Sequence, residues 1–284
     1  MILVTGATGQ LGRLVVEGLL EKVPAGQVAV AVRSPDKASA WAARGVQVRQ
    51  ADYGQPGSLA AAFQGVDKVL LISSSEVGQR VAQHRAVVEA ARKAGVRLIA
   101  YTSILRADTS PLALAAEHKA TEGLIRESGV PFVFLRNGWY IENYTAGLAP
   151  ALAHGALVGS AGEGRIAAAT RADYAAAAIQ VLTTPGHENK VYELGGDSPF
   201  SLTEFAAEVA RQTGKPLVYQ DLPAEQYERV LVGAGVPEGF ARILVDSSVQ
   251  SSRDALNDGS HTLSHLIGRP TTPLAAALGA SLKR

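Results

Sequence analysis

The sequence contains no cysteine. Disulfides, thiolate nucleophiles and cysteine-ligated zinc are therefore excluded from its chemistry. It also lacks any long basic run: 27 Lys and Arg face 26 Asp and Glu, with both signs spread along the chain and a formal net charge of +1. Nucleic acid and anionic membrane surfaces are recognised by concentrated positive charge, so neither is expected as a main partner. No apolar stretch reaches the ~20 residues needed to span a bilayer. The Ala-rich run at 172–181 is interrupted by Asp173, Tyr174 and Gln180. The apolar opening, Met1 to Thr5, is too short for an export signal and has no basic flank, so a cytoplasmic protein is expected. The six histidines show no metal-ligand spacing such as H-E-x-x-H, and no metal is expected. Neither a G-x-S-x-G elbow nor a phosphate-binding loop with its lysine occurs.

What is present is enough apolar material for a sizeable core, 47% of 284 residues. Short β-branched runs at 2–5, 28–33, 46–50, 68–73, 97–102 and 132–136 read as strands. Their near-continuous apolar character is that of strands covered by helices on both faces. Between them Val77, Val81, Val88 and Ala91 recur at helical spacing, as do Leu112, Ala115, Ala116, Leu124 and Ile125. Gly45, Gly65, Gly95 and Gly129 fall just before strands, where a helix must end and the chain must turn. After Arg136 the rhythm changes to a Gly- and Ala-rich stretch over 138–170. A helix at 171–184 and a strand at 190–194 follow. Ser201 with Glu204 three residues on then predicts a capped helix. Alternating strands and helices imply a doubly wound parallel sheet. The expected division is a larger domain from 1–137 and 171–195, and a smaller C-terminal α/β domain from 138–170 and 196–284.

The first strand runs into Gly6-Ala7-Thr8-Gly9-Gln10-Leu11-Gly12, a G-x-x-G-x-x-G turn that opens a helix. One glycine permits the tight turn, another lets backbone approach a pyrophosphate, and Gly12 lets the helix lie close on the sheet. The helix N-terminus offers unpaired N–H groups and partial positive charge to phosphates. This places the fold in the NAD(P)-binding Rossmann class. Arg33 stands at the end of strand two, where enzymes that use NAD usually carry an acid for the ribose 2′-hydroxyl. An arginine suits a 2′-phosphate, so NADP(H) is the expected cofactor. Asp52 after strand three and Ser73, Ser74 and Ser75 after strand four end at the same crevice. Asp52 is read either as an acceptor for the adenine amino group or as a helix cap. The serines are read as bordering the ribose and nicotinamide.

These motifs resemble the atypical short-chain dehydrogenase/reductases, and within them the NmrA-like branch with its flavin-free quinone reductases and triphenylmethane reductases. The resemblance spans nearly the whole chain. It rests on the glycine turn, on Ala116-Glu117-His118-Lys119-Ala120-Thr121-Glu122, on Leu135-Arg136-Asn137-Gly138-Trp139-Tyr140-Ile141-Glu142-Asn143-Tyr144, and on the tail from Leu266 to Leu274. It implies that Asn137, Gly138, Trp139 and Tyr140 pack along the cofactor and that Asn143 faces the acceptor. Trp139 and Tyr140 are also candidates to stack on a flat substrate, or else to serve as core or hinge residues. The wider superfamily uses a Tyr-x-x-x-Lys pair for acid catalysis; here Leu114 and His118 stand at those two positions. Asn143, Tyr140 and His118 are the candidate catalytic residues. His118 and Lys119 are consecutive on a helix, so at most one of them faces the crevice.

Loss of the acid pair is compatible with one kind of hydride chemistry. Reduction of a ketone makes a strongly basic alkoxide that needs a positioned acid. Reduction of a quinone makes a delocalised hydroquinone monoanion that solvent can protonate later. The protein then has mainly to hold two flat groups close together. The resemblance thus implies NADPH-dependent reduction of a quinone-like small molecule, without flavin. It leaves open a redox sensor that binds NADP(H) without turnover, and reduction of cationic dyes. A homodimer is compatible with the fold, but no face of the chain marks itself as an interface.

Overall fold

A computed structural model describes residues 1–283. The chain opens with β1 (Ile2–Thr5), α1 (Gln10–Leu20), β2 (Val28–Val32), the short α2 (Ser39–Ala42) and β3 (Gln47–Gln50). There follow α3 (Pro56–Ala62), β4 (Lys68–Leu71), α4 (Arg80–Lys93), β5 (Leu98–Ile104), α5 (Ala115–Glu127) and β6 (Phe132–Asn137). Next come α6 (Ile141–Thr145), α7 (Leu148–His154), β7 (Ala156–Gly159), α8 (Arg171–Thr183) and β8 (Lys190–Leu194). The last elements are α9 (Leu202–Thr213), β9 (Val218–Asp221), α10 (Ala224–Gly233), α11 (Glu238–Ser251), α12 (Thr262–Ile267) and α13 (Leu274–Leu282).

Seven strands form one sheet in the order β3-β2-β1-β4-β5-β6-β8. Strands β1 to β6 pair in parallel. Every residue of β1, β2 and β5 is buried, which is why these strands are largely apolar rather than alternating, with Thr5, Thr102 and Ser103 as buried polar exceptions at their carboxyl ends. Helix α1 turns Leu11, Val15, Val16 and Leu19 inward at helical spacing. Each fully buried Leu or Val of this set contributes about 1.5–3 kcal/mol. α8 lies close on α1: a Cβ at Gly18 would fall 2.3 Å from Ile179 Cδ1.

The structure divides into two compact units. One holds residues 1–107, 116–137 and 171–193; the other holds 108–115, 138–170 and 194–284. The second unit carries its own two-stranded parallel sheet, β7-β9. Its helix α9 begins with the expected capping box, Ser201 accepting from Glu204 N–H and Glu204 from Ser201 N–H. No helix among the described residues is long and apolar enough to cross a membrane.

Three sequence expectations shift. The helix expected around Val77 starts only at Arg80, because Gly78 takes a left-handed φ of +87° that no helix continues through. Leu112 precedes α5 rather than lying in it. β4 ends at Leu71 instead of Ser73, since the next two amides bond to side chains rather than to the ladder. Ile72 N–H donates to Thr5 Oγ1 and Ser73 N–H to Thr102 Oγ1.

Candidate active site

The connections of the large sheet diverge at β1, which pairs with β2 on one side and β4 on the other. Ligands of open α/β sheets bind at the carboxyl ends of the strands at such a point. A cavity of about 610 Å³ lies there, and Gly6, Thr8 and Gly9 form its floor. Gly6 sits at φ +59°, a conformation glycine takes without strain. Gly12 is required for a different reason: a Cβ there would meet Gly6 O at 2.4 Å and Ala7 Cα at 2.7 Å. The helix therefore packs on the turn itself. Gly9 caps α1 without a side-chain hydrogen bond, and no acidic residue occupies the first helical turn. The helix N-terminus is left as an anion site.

Thr5 ties the two central strands together at this end. Its hydroxyl donates to Leu70 O at 3.0 Å and accepts from Ile72 N–H at 3.1 Å. Tyr53, which lines the cavity, donates to Thr5 Oγ1, and its hydroxyl oxygen lies 3.1 Å from Ile72 O. Arg33, Ser34 and Lys37 form the rim beyond β2. The Arg33 side chain is 71% exposed and pairs with Glu76 at 3.3 Å. Glu76 in turn accepts from Gln83 Nε2 at 2.7 Å. Asp52 lines the cavity with Oδ1 engaged by Gly54 N–H at 2.9 Å, so it is a turn former as well as a wall residue.

Of the residues singled out from sequence, Gly6, Thr8, Gly9, Arg33, Asp52, Ser73, Ser74 and Ser75 line this one cavity. Gln10, Leu11 and Gly12 are not among its lining residues: Leu11 and Gly12 face the core and Gln10 is exposed. Asn137 ends β6, buried, and its Oδ1 has no hydrogen-bond partner. His118 is also buried, 2.7 Å from Tyr101 Oη through Nδ1. Burial, then the Arg80 guanidinium and His84, pull its pKa well below the usual histidine range, so it is neutral and poorly suited to give a proton. Lys119 points the other way and is exposed. Lys37, Tyr53, Glu76 and Gln83 were not foreseen. A second cation four residues after Arg33 is a signal that sequence carries. The Glu76 links are not, because they join residues 43 and 7 positions apart.

An ion network holds the end of β6. Arg136 is buried and donates to both carboxylate oxygens of Glu122, at 2.9 and 2.8 Å, and to Glu193 at 2.8 Å. Ser103 completes Glu122 at 2.7 Å. The two carboxylates hold the guanidinium charged despite the cost of burial.

The second unit has its own cavity, of about 820 Å³. Trp139, Leu157, Leu231 and Leu244 give it apolar walls, and Asn143, Tyr144, Tyr227 and Ser247 give it polar groups. Tyr144 packs edge-on to Phe200 at 6.1 Å. Burial, with Tyr227 and Tyr219 nearby, pushes the Tyr144 phenol far above its usual range, so it remains a neutral hydroxyl. No Asp, Glu, Lys or Arg of the described residues lines this cavity. Tyr140 and Gly138 are not among its lining residues. Tyr140 caps α6 and pairs with Ala169, where Ala169 N–H donates to Trp139 O and Ile141 N–H to Ala169 O.

A parallel sheet in this order, with a glycine turn and an uncapped helix at its switch point, defines an NAD(P)-binding Rossmann protein. The chain belongs to the NmrA-like family, which residues 1–252 match. The resemblance read from the sequence motifs is thereby borne out. The chain is 56% identical to quinone oxidoreductase 2 of Escherichia coli (strain K12), over 98% of this chain and 97% of that one. Among solved structures, the NADPH-dependent quinone oxidoreductase of Escherichia coli complexed with NADPH matches this chain with a TM-score of 0.97 and 55% identity, over 99% of this chain and 100% of that one. The triphenylmethane reductase of Citrobacter sp. complexed with NADP(H) matches at a TM-score of 0.95 and 43% identity, over 99% and 100%.

Proposed function

We propose that this chain is an NADPH-dependent quinone reductase that works by direct hydride transfer, without flavin, and not a sensor that only binds the cofactor. The observation that carries this is the 56% identity, over 98% of the chain, to a quinone oxidoreductase.

The residues at the glycine turn fit a dinucleotide phosphate. The uncapped N-terminus of α1 at Gly9 suits a pyrophosphate, and Arg33 with Lys37 suits a 2′-phosphate. The unpartnered Oδ1 of Asn137 is a buried acceptor that a carboxamide would satisfy. When bound, NADPH supplies the hydride. The chain's own task is to hold the acceptor and exclude water, since the reduced quinone is a weak base and needs no positioned acid. In this reading Trp139 gives a flat surface and the Asn143 amide donates to a quinone oxygen, while Tyr140, outside the cavity lining, fixes the start of α6. Tyr144 is a second neutral donor on the wall of the same cavity. His118 acts as a buried structural group.

The first unit is assigned to the dinucleotide and the second, 138–170 and 196–284, to the acceptor. A cavity of this size without charged walls suits neutral quinones larger than a single ring, and suits cationic dyes less well. A cytoplasmic homodimer belongs to the same proposal; sedimentation velocity on purified protein tests the dimer.

The decisive experiment follows NADPH absorbance in flavin-free protein, with and without 1,4-benzoquinone and a substituted naphthoquinone, and repeats it with NADH. Acceptor-dependent oxidation that favours NADPH is expected. Tight NADPH binding with no oxidation above the uncatalysed rate across both quinones would overturn the proposal.

A further inference from the structure

His84 is used by none of the steps above, yet it is completely buried beside the dinucleotide cavity. It stands on α4 and reaches the loop Ser73–Gln79 that forms one wall. Ser74 N–H donates to His84 Nε2 at 3.0 Å. The other ring nitrogen, Nδ1, is 3.0 Å from Thr121 Oγ1 on α5. Thr121 has a single hydroxyl proton, and it goes to Glu117 O at 2.9 Å. Nδ1 must therefore carry the proton and donate, which leaves Nε2 as a pure acceptor. The hydrogen-bond network thus assigns one tautomer without ambiguity. The ring is clamped edge-on between Tyr101, at 5.4 Å, and Tyr53, at 6.2 Å.

The same loop is gripped at its other backbone groups. Arg80 Nε donates to Ser74 O at 2.8 Å, Ser73 N–H donates to Thr102 Oγ1 at 2.8 Å, and Gly78 N–H donates to Glu117 Oε1 at 3.0 Å. Ser74 has both its N–H and its C=O taken by side chains of α4. A wall that begins where a strand stops has no ladder to fix it, so these bonds replace the ladder.

We propose that His84 is a positioning residue of the dinucleotide site, which sets the Ser73–Ser75 wall through its Nε2 acceptor and is itself locked by Thr121. The proposal rests on reading that cavity as the NADPH site.

The titratable groups around the imidazole are the Arg80 guanidinium on its own helix, with the Glu117 carboxylate of α5 paired to it, the rings of Tyr101 and Tyr53, and His118 on α5. Burial and Arg80 hold the ring neutral down to about pH 3, so the strut is constant at physiological pH rather than a switch.

Asparagine and glutamine separate the two ends of the ring. A Gln amide reaches the Nε2 position and can accept from Ser74, whereas an Asn amide reaches only the Nδ1 position. In the cofactor-free protein, His84→Asn is expected to speed amide hydrogen exchange over Ser74–Gly78, with His84→Gln near wild type. Titrated with NADPH by calorimetry, His84→Asn is expected to bind roughly tenfold more weakly, the worth of one buried hydrogen bond, and His84→Gln within about threefold of wild type. The loss falls on Kd and on KM for NADPH more than on kcat. Thr121→Val, which releases Nδ1 and lies outside the cavity, is expected to act in the same direction and serves if His84→Asn does not fold. Equal behaviour of the Asn and Gln variants, or unchanged exchange at Ser74–Gly78 in Thr121→Val, overturns the proposal. Absence of NADPH binding by the wild type would instead sink the cofactor reading, and the exchange comparison would still decide the role of His84.

Discussion

The dinucleotide crevice of the first unit is walled by backbone and short polar side chains at strand ends, with charges on its rim. The cavity of the second unit is walled by side chains from α6, α7, α9, α10 and α11, together with β7 and β9, and none of the described residues lining it carries a carboxylate, guanidinium or ammonium group. One is shaped by where the chain can go, the other by what its side chains fill. Backbone-built sites tolerate few substitutions at a few positions, because a Cβ has nowhere to move. Side-chain-built cavities can be reshaped by many substitutions of modest effect.

The largest test of this contrast is Gly12→Ala. The added Cβ meets Gly6 O and Ala7 Cα, both backbone, and neither can swing aside. A stability loss of about 3 kcal/mol is expected from overpacking, with NADPH affinity falling alongside. Urea denaturation and calorimetry read both, and an unchanged midpoint with unchanged affinity would remove the argument from close approach.

Next is acid. The His84 pKa is lowered to about 3 from 6.5, and that of His118 moves in the same direction. The unfolded chain binds protons that the folded chain refuses. Stability is therefore full above pH 6.5 and declines as the pH falls from there toward 3, by roughly 2 kcal/mol from His84 alone at about pH 5. Unfolding midpoints measured across that window should fall on the acid side, and less so in His84→Gln. A flat profile from pH 7 to pH 5 contradicts the buried neutral pair.

Arg33→Ala sharpens the contrast at the rim of the first cavity. If Arg33 reads the 2′-phosphate as proposed, NADPH should bind about tenfold more weakly, or ~1.5 kcal/mol. NADH should be little affected. Equal losses for both cofactors would mean that Arg33 holds the rim rather than reading the phosphate. The smallest effect is expected in the second cavity. Asn143→Ala should lower kcat/KM for quinone about fivefold, near 1 kcal/mol for one hydrogen bond. A loss in NADPH affinity instead would move Asn143 out of the acceptor site.

The same contrast explains what could be read from the sequence. The glycine turn, Arg33 and the serines after β4 are local signals at strand ends, and all but buried Ala7 and the helical members Gln10, Leu11 and Gly12 reach one cavity. The central strands were legible because burial on both faces leaves largely apolar runs, whereas the edge strands β3 and β8 are partly exposed and mixed in character. Their ends were less so: β4 stops early because the hydroxyls of Thr5 and Thr102, distant in sequence, take the next two amides. Val77 has helical spacing but is 45% exposed, because Gly78 bends the chain before α4 can start. His84 carries no motif at all. Its role depends on Thr121, 37 residues away, and on a loop whose path sequence does not reveal. The second cavity is dispersed over five helices and two strands, and only Trp139, Asn143 and Tyr144 fall inside a recognisable segment.

Quinones are electrophiles as well as hydride acceptors. They undergo conjugate addition by thiolates and, more slowly, by amines, and a protein that concentrates them risks becoming their target. This chain has no thiol anywhere, and no lysine of the described residues lines the second cavity. The strongest nucleophile on that wall is the imidazole of His154, among hydroxyls and hydrocarbon. On the proposed reading, in which the acceptor occupies this cavity, His154 is the one side chain of its described wall at which conjugate addition would compete with reduction.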